Sequence, residues 1–177
     1  MRSDSVANSD LRQLLDKQSI AERLLDYAKG VDRIDRSLIC SAFHAGARLD
    51  YGAMFVGTRE EFADFIGVVH AAMEAHSHHL SNIYITIDGD RAGSETYVLA
   101  RLRSRGPDGL PSDTVASGRY VDQWLRRNGE WRITHRIYLH AADSTQSVVA
   151  PGFPSTGDRD ATDPSYAVLS LTSRDGA

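Results

Sequence analysis

The segment AHSHHLSN, residues 75–82, places three histidines within four positions: His76, His78 and His79. An imidazole changes charge near neutral pH, so it can serve as a general base, a metal ligand or a pH sensor. If the segment begins a strand, successive side chains point to opposite faces, and only one of His78 and His79 can enter a given pocket. His76 could instead lie at the carboxyl end of the preceding helix, where the helix dipole favours a histidine.

The surrounding sequence bears on two of these chemistries. An extended His76 and His78 would share a face, but a stable metal site needs further ligands, and no Glu and His follow at a suitable spacing. We therefore predict no metal. A pH sensor needs an interface with two stable arrangements, which a sequence does not reveal.

Asp32, in the segment YAKGVDRID, is the first candidate carboxylate. It follows an apolar helical segment, where a surface or capping role is the ordinary interpretation. Asp35 directly precedes RSLIC and is the better predicted cap of a second helix, which leaves Asp32 free to point elsewhere. Tyr27, about one and a half turns earlier, can face the same interior.

Arg136, in WRITHRIYLH, lies in a predicted strand between Ile133 and Ile137. A buried and unpaired guanidinium is costly. One interpretation is therefore an outward arginine paired with a cross-strand acid such as Asp122. Alternation alone does not decide its direction, because a bulge would reverse it.

The elements that must position these residues begin with two predicted helices. Apolar residues recur at three- and four-residue steps from Leu11 to about Lys29, which indicates an amphipathic helix that Gly30 closes. A second, shorter helix is predicted over residues 36–43.

Thr58 followed by Glu61 forms a capping box that begins a third helix, whose apolar stripe ends near Ala75. The hydrophobic period then changes to two, and turn signals at residues 88–90 and 128–129 divide the following segments into hairpins. The second half is therefore predicted to be antiparallel sheet.

Helices followed by such a sheet define an α+β domain. We predict three N-terminal helices packed on a strongly curved antiparallel sheet, forming a cone with a central cavity. The predicted organisation is a flexible N-terminus over residues 1–10, the cone domain over 11–142, and an extended or mobile C-terminal tail over 143–177.

The composition is that of an ordinary globular protein, with 41% hydrophobic residues, 25% charged residues and a formal charge of -4. Its 20 Lys and Arg are scattered among 24 Asp and Glu, so no nucleic-acid partner is expected. The single Cys40 excludes an internal disulfide framework. No segment has the pattern of a signal peptide or membrane span, so we expect a cytoplasmic protein with no membrane partner.

Three segments in this order resemble a known family: GVD after the first helix, HHLSN opening a long strand, and GRYVDQWLRRNGEWRITHR near the end. Over roughly residues 10–142 the chain resembles the SnoaL-like branch of the nuclear transport factor 2-like superfamily, which has an α+β cone fold. It looks most similar to hexachlorocyclohexane dehydrochlorinase, scytalone dehydratase and the bile-acid dehydratases. These enzymes use an Asp-His dyad without a metal or an organic cofactor.

The resemblance implies roles for individual residues. It makes His78 the general base, Asp32 the carboxylate that orients it, and His79 a neighbour without a catalytic function. It makes Arg136 a pocket arginine that stabilises developing negative charge.

A hydrophobic cyclic or aromatic small molecule is the expected substrate. Tyr27 and Tyr51 match positions where the bile-acid dehydratases place tyrosines that face substrate. The apolar residues expected around the pocket are Phe43, Met54, Phe55, Phe62, Phe65 and Trp124.

The implied activity is that of a cofactor-independent lyase, a dehydratase or a related β-eliminating enzyme. Three alternatives remain open: a ketosteroid-type isomerase, a carbon-carbon lyase that releases formaldehyde from a lignin-derived diaryl compound, and a domain that binds a small molecule or a partner without catalysis. Many such domains pair through an exposed sheet face, so a homodimer or homotrimer is expected.

Overall fold

Four helices and six strands make up the part of the chain that the computed structural model describes, which is residues 2–106, 108–148, 153, 156–160 and 162–169. The helices are α1 (Arg2–Arg33), α2 (Arg36–Ser41), α3 (Arg59–Ala71) and α4 (Pro164–Leu169). The strands are β1 (Phe43–Asp50), β2 (Val56–Thr58), β3 (Ala75–Asp88), β4 (Arg91–Arg105), β5 (Pro111–Arg127) and β6 (Glu130–Ser147).

The strands form one six-stranded sheet in the order β2-β1-β6-β5-β4-β3, and the helices pack against it. The predicted α+β class is confirmed, but the sheet is mixed rather than antiparallel, because β1 runs parallel to β6. A parallel neighbour requires a long crossover connection, which α3 and the β3–β5 meander provide here. β2 and β3 remain as edges, so the sheet is not closed into a barrel.

The first helix is longer at both ends than its apolar pattern predicts. It begins at Arg2 instead of near Leu11, so the segment predicted as a flexible N-terminus continues the helix. It also passes through Gly30 to Arg33. A Cβ at Gly30 would lie 2.8 Å from the backbone nitrogen of Ile39, so this glycine permits close packing of α1 against α2 rather than ending the helix.

Both predicted helix caps are confirmed. The carboxylate of Asp35 accepts a 2.9 Å hydrogen bond from the backbone N–H of Leu38, and Thr58 and Glu61 form a reciprocal capping box. The third helix, however, ends at Ala71 and not near Ala75. His76 therefore lies on β3, and its prediction as part of a helix carboxyl end is wrong.

The predicted hairpins are confirmed, and β6 carries two irregularities that redirect its side chains. Ile133 pairs with Trp124 and His135 with Gln123, which leaves Thr134 as an extra residue in a bulge. A second register shift leaves Ala141 unpaired in the same way. Each bulge reverses the alternation of faces for the residues that follow it.

Part of the predicted C-terminal tail has regular secondary structure. β6 continues past residue 142 to Ser147, and α4 forms within the predicted extended or mobile tail. The Tyr166 hydroxyl donates to the Asp35 carboxylate at 3.3 Å, and the Lys29 ammonium lies 4.6 Å from the centre of the Tyr166 ring. These contacts dock α4 against the end of α1. Residues 149–152, 154–155, 161 and 170–177 of the predicted tail lie outside the described residues.

The hydrophobic core lies between the helices and the concave face of the sheet. Its most deeply buried members are Ile20, Leu24, Val31, Ile39, Phe43, Leu49, Phe62 and Ile133. Among the described residues, no helix has the length and apolar character needed to cross a membrane.

Gly30→Ala should lower the free energy of unfolding by about 1–3 kcal/mol, because its Cβ would collide with the α2 backbone and force the two helices apart. Urea unfolding measures this change. The matched control is Gly67→Ala inside α3, where an added Cβ meets nothing within 4 Å, and which should raise the free energy of unfolding by about 0.5–1 kcal/mol. Equal stabilities of Gly30→Ala and the wild type would contradict the close packing.

Candidate active site

Asp32, near the end of α1, and His78, near the start of β3, make two hydrogen bonds with each other. The Asp32 carboxylate accepts from the backbone N–H of His78 at 3.1 Å and lies 2.7 Å from its ring Nδ1. An Nδ1–H that donates to a carboxylate leaves Nε2 unprotonated and able to accept a proton. The structure thus brings together the two residues that the sequence analysis selected, in the geometry of an oriented base.

The neighbouring histidines are placed differently. His79 is exposed on the opposite side of β3, where its Nε2 lies 3.3 Å from the Ser77 hydroxyl. His76 is half-buried, and its Nε2–H donates to the backbone carbonyl of Val31 at 3.1 Å. Neither residue lines the cavity that His78 lines.

This cavity measures about 260 Å³ and lies between α1, α3 and the concave face of the sheet. Most of its wall is apolar, and a few polar groups converge on it, as in typical small-molecule sites. Its lining includes Tyr27, Val31, Tyr51, Met54, Phe62, Phe65, Ile66, His70, His78, Val98, Tyr120, Tyr138, His140 and Asp143.

Tyr27 and Tyr51 both line the cavity, and their hydroxyl oxygens are 2.7 Å apart. Burial raises the pKa of Tyr27, an effect that the nearby Arg136 charge partly offsets, and burial raises the pKa of Tyr51 well above its ordinary value. Both phenols therefore stay protonated. One hydroxyl proton lies between these two oxygens, and Tyr120 is a further hydrogen-bond partner of the Tyr27 hydroxyl.

Arg136 does not line the cavity, although the sequence analysis predicted it as a pocket arginine. Its side chain is fully buried and makes two 2.7 Å hydrogen bonds to the Asp122 carboxylate. The rings of Tyr27 and Tyr120 cover the guanidinium, with ring centres 4.2 Å and 4.1 Å from its central carbon. The bulge at Thr134 turned the arginine inward, and the tyrosine rings then separate it from the cavity.

Arg136 stays positively charged in this position. Burial by itself would lower the pKa of the guanidinium, but the Asp122 carboxylate raises it well above its ordinary value. The predicted pairing of these two residues is therefore correct, whereas the outward direction that accompanied it is wrong. A fixed positive charge beneath the Tyr27 ring makes that phenol a better hydrogen-bond donor.

Phe55 and Trp124 also lie outside the cavity lining, which corrects their prediction as pocket residues. Phe55 packs against Phe62 and Phe65, with ring centres 5.3 Å away in each case, and so supports two residues that do line the cavity. The buried Trp124 donates from its indole nitrogen to the Ser94 hydroxyl at 2.8 Å. Phe43 is likewise a core residue, packed edge-on against Tyr27.

His70 is a cavity residue that the sequence analysis missed. It lies in the last turn of α3, is only 6% exposed, and stacks almost parallel to His78 with ring centres 5.8 Å apart. Burial, reinforced by His76 and His78, lowers the pKa of His70 to about 3, so its ring is neutral. The helical period of the sequence places His70 on the buried face of α3, because it follows the buried Phe62 and Ile66 at four-residue steps.

Three further polar residues of the cavity wall were also missed, and they come from β6. The Tyr138 hydroxyl lies 3.3 Å from Nδ1 of His140, and Nε2 of His140 lies 3.0 Å from the Asp143 carboxylate. The bulge at Ala141 brings Asp143 to the same side of the strand as His140. Without that bulge, their odd spacing would place them on opposite faces.

Across the part of the chain that the structure describes, no group of three or more His, Cys, Asp or Glu side chains is arranged to hold a metal ion.

Residues 12–137 match the family model of the SnoaL-like domain. The chain belongs to the SnoaL-like family. Tyr138, His140 and Asp143 follow directly after the part of this SnoaL-like protein that matches the family. No match is found among curated proteins.

Solved structures share the fold of this SnoaL-like protein. A type 2 hexachlorocyclohexane dehydrochlorinase superposes with a TM-score of 0.70 at 18% identity, covering 84% of this chain and 99% of its own. A candidate scytalone dehydratase from Novosphingobium aromaticivorans gives 0.65 at 21% identity, covering 82% and 95%. The Kfla4162 protein from Kribbella flavida gives 0.68 at 18% identity, covering 75% and 95%.

Acidification should destabilise this SnoaL-like protein partly through His70. Between about pH 6.5 and pH 3 the unfolded chain binds a proton at this residue that the folded protein does not, so the free energy of unfolding falls by at most ~1.4 kcal/mol per pH unit from this group. Urea unfolding at several pH values should give a smaller slope for His70→Leu than for the wild type.

His79→Leu is the matched control, because the imidazole it removes is exposed. It should keep the wild-type dependence on pH. Identical slopes for His70→Leu and the wild type would show that the buried imidazole has no part in acid destabilisation.

Proposed function

We propose that this SnoaL-like protein is a cofactor-independent lyase, a dehydratase or a related β-eliminating enzyme, that acts on a hydrophobic cyclic or aromatic small molecule. The observation that supports this most directly is the 2.7 Å contact between Nδ1 of His78 and the Asp32 carboxylate, at the wall of a mainly apolar cavity. The candidate dehydratase and the dehydrochlorinase among the structures with this fold agree with the proposal.

In the proposed reaction, Nε2 of His78 removes a proton from a carbon next to an electron-withdrawing group. The electron pair of that C–H bond forms a carbon-carbon double bond, and the leaving group departs from the neighbouring carbon with its own bonding pair. Asp32 fixes the tautomer of His78 and stabilises the imidazolium that forms. His78 then returns its proton to solvent.

Tyr27 and Tyr51 supply the hydrogen bond that stabilises charge on a substrate carbonyl or hydroxyl oxygen. Their mutual 2.7 Å hydrogen bond holds both hydroxyl groups in place before substrate binds. Arg136 contributes indirectly in this proposal: its charge lies beneath the Tyr27 ring and favours negative charge in the cavity, but its guanidinium does not touch the substrate.

The surface supports a homodimer or homotrimer, which we also propose. Tyr97 on β4 and Leu139 on β6 are exposed, and both flank Arg119 of β5 in one cross-strand row. Ile137 extends this exposed apolar face. Sedimentation velocity should detect an oligomer, and Leu139→Lys should shift it towards monomer; a monomeric wild type would refute the association.

The elimination is tested with 3-hydroxy-1-tetralone, a bicyclic β-hydroxy ketone whose loss of water gives fluorescent 1-naphthol. His78→Ala should lower kcat by ~10²-fold or more, the usual contribution of a general base, and Asp32→Asn should lower it nearly as much. His79→Ala, which removes an exposed imidazole on the other face of β3, is the matched control and should retain wild-type turnover.

Circular dichroism must show that the variants are folded, because Asp32 also binds the backbone of His78. Wild-type turnover should persist in the presence of a chelator. Activity that requires an added metal, or equal activity of His78→Ala and the wild type, would refute the dyad mechanism. Ligand binding without any turnover would favour the non-catalytic alternative.

A further inference from the structure

We infer that Tyr138, His140 and Asp143 form an acid relay that protonates the leaving group, and that the substrates of this protein therefore carry a hydroxyl as leaving group. This inference rests on the proposed elimination and names the substrate class of the same cavity. Tyr138 is the catalytic acid of the relay, and His140 and Asp143 act through it.

The three residues form a continuous path from the cavity to solvent. Tyr138 is half-buried in the cavity wall, where its ring stacks on Tyr51 with ring centres 5.4 Å apart. His140 and Asp143 lie farther out, with 49% and 57% of their side chains exposed. A proton can therefore enter at His140 and reach the Tyr138 oxygen, 3.3 Å away, without crossing the apolar part of the cavity.

The hydrogen-bond directions are consistent with this path. When His140 is protonated, its Nε2–H donates to the Asp143 carboxylate and its Nδ1–H donates to the Tyr138 oxygen, which leaves the Tyr138 hydroxyl proton for a substrate oxygen. Burial, the Asp143 charge and Tyr27 raise the pKa of Tyr138. The phenol therefore stays protonated until the departing substrate oxygen accepts its proton. The arrangement repeats the carboxylate-imidazole order of Asp32 and His78, with a phenol added at the cavity end.

Elimination of a hydroxyl group requires such an acid. As the C–O bond breaks, the departing oxygen takes the proton of Tyr138 and leaves as water. His140 then passes its Nδ1 proton to the Tyr138 oxygen and takes up another proton from solvent. His78 has meanwhile gained the carbon-bound proton and releases it, so the reaction consumes no net proton. A chloride leaving group departs as the free ion and needs no acid.

Other groups around the cavity are poorly placed for this task. His70 is neutral because burial lowers its pKa to about 3, so it carries no spare proton. Tyr27 and Tyr51 are buried and hydrogen-bonded to each other, and the described residues show no hydrogen-bonded path from this pair to an exposed imidazole. Tyr138 is a phenol that a solvent-exposed histidine, His140, can reprotonate.

Two substrates that differ only in the leaving group separate this role from a structural one. Both 3-hydroxy-1-tetralone and 3-chloro-1-tetralone lose the same carbon-bound proton and give 1-naphthol. Tyr138→Phe should lower kcat for the hydroxy ketone by ~10²-fold, the usual contribution of a general acid, and leave kcat for the chloro ketone nearly unchanged after subtraction of its uncatalysed rate. His140→Gln and Asp143→Asn should show smaller losses on the hydroxy ketone alone.

Tyr84→Phe is the matched control, because this tyrosine is 76% exposed and lies outside the cavity lining. It should change neither rate. If Tyr138→Phe disturbs the fold, His140→Gln still tests the relay, because it alters a side chain that is half exposed.

The possible outcomes distinguish the relay from the dyad. Equal losses on both ketones, or no loss on either, would overturn the relay while leaving the dyad intact, provided that His78→Ala is inactive. A wild type that converts neither ketone, or a fully active His78→Ala, would overturn the proposed function and the relay with it.

Discussion

The buried ion pair between Arg136 and Asp122 is the contact on which the rest of the site depends. Both side chains are fully inaccessible to solvent, and removal of either partner would leave an uncompensated charge in the core, which typically costs about 3–5 kcal/mol. The pair ties β5 to β6, and Tyr27 from α1 and Tyr120 from β5 pack directly on the guanidinium. It therefore supports the tyrosines of the cavity wall, and through Tyr27 it also positions α1.

The fold places the proposed proton acceptor and the inferred proton donor on different secondary-structure elements. The proposed base is held by α1 and β3, where Asp32 binds both the ring and the backbone of His78. The inferred acid comes from β6, where Tyr138 reaches solvent through His140. Because the two groups stand on different elements, each can be shielded or exposed to suit its role: the base is largely buried, whereas the acid has a route to bulk water.

The inward direction of Arg136 and the missed cavity position of Asp143 share one physical origin. The bulges at Thr134 and Ala141 reverse the alternation along β6, so Arg136 faces inward, and Asp143 joins His140 on the cavity side. A bulge is stabilised by pairing with the neighbouring strand and has no reliable local signature. The prediction of Trp124 as a pocket residue also failed for lack of tertiary information. A large aromatic side chain can lie in the core or in a cavity wall, and its packing neighbours decide which.

The sequence by itself determined the features that depend on neighbouring residues: the caps at Asp35 and Thr58, the buried apolar stripe of α3, and the Asn128-Gly129 turn, whose two residues both adopt positive φ. The resemblance to a family selected Asp32 and His78, which the structure brings together. Only the tertiary structure decided that β1 runs parallel to β6, that His70 joins the cavity and that Arg136 lies beneath it. Caps and turns form within a few residues of chain, whereas strand order, bulges and the contents of a cavity depend on contacts between distant segments, which a local pattern does not encode.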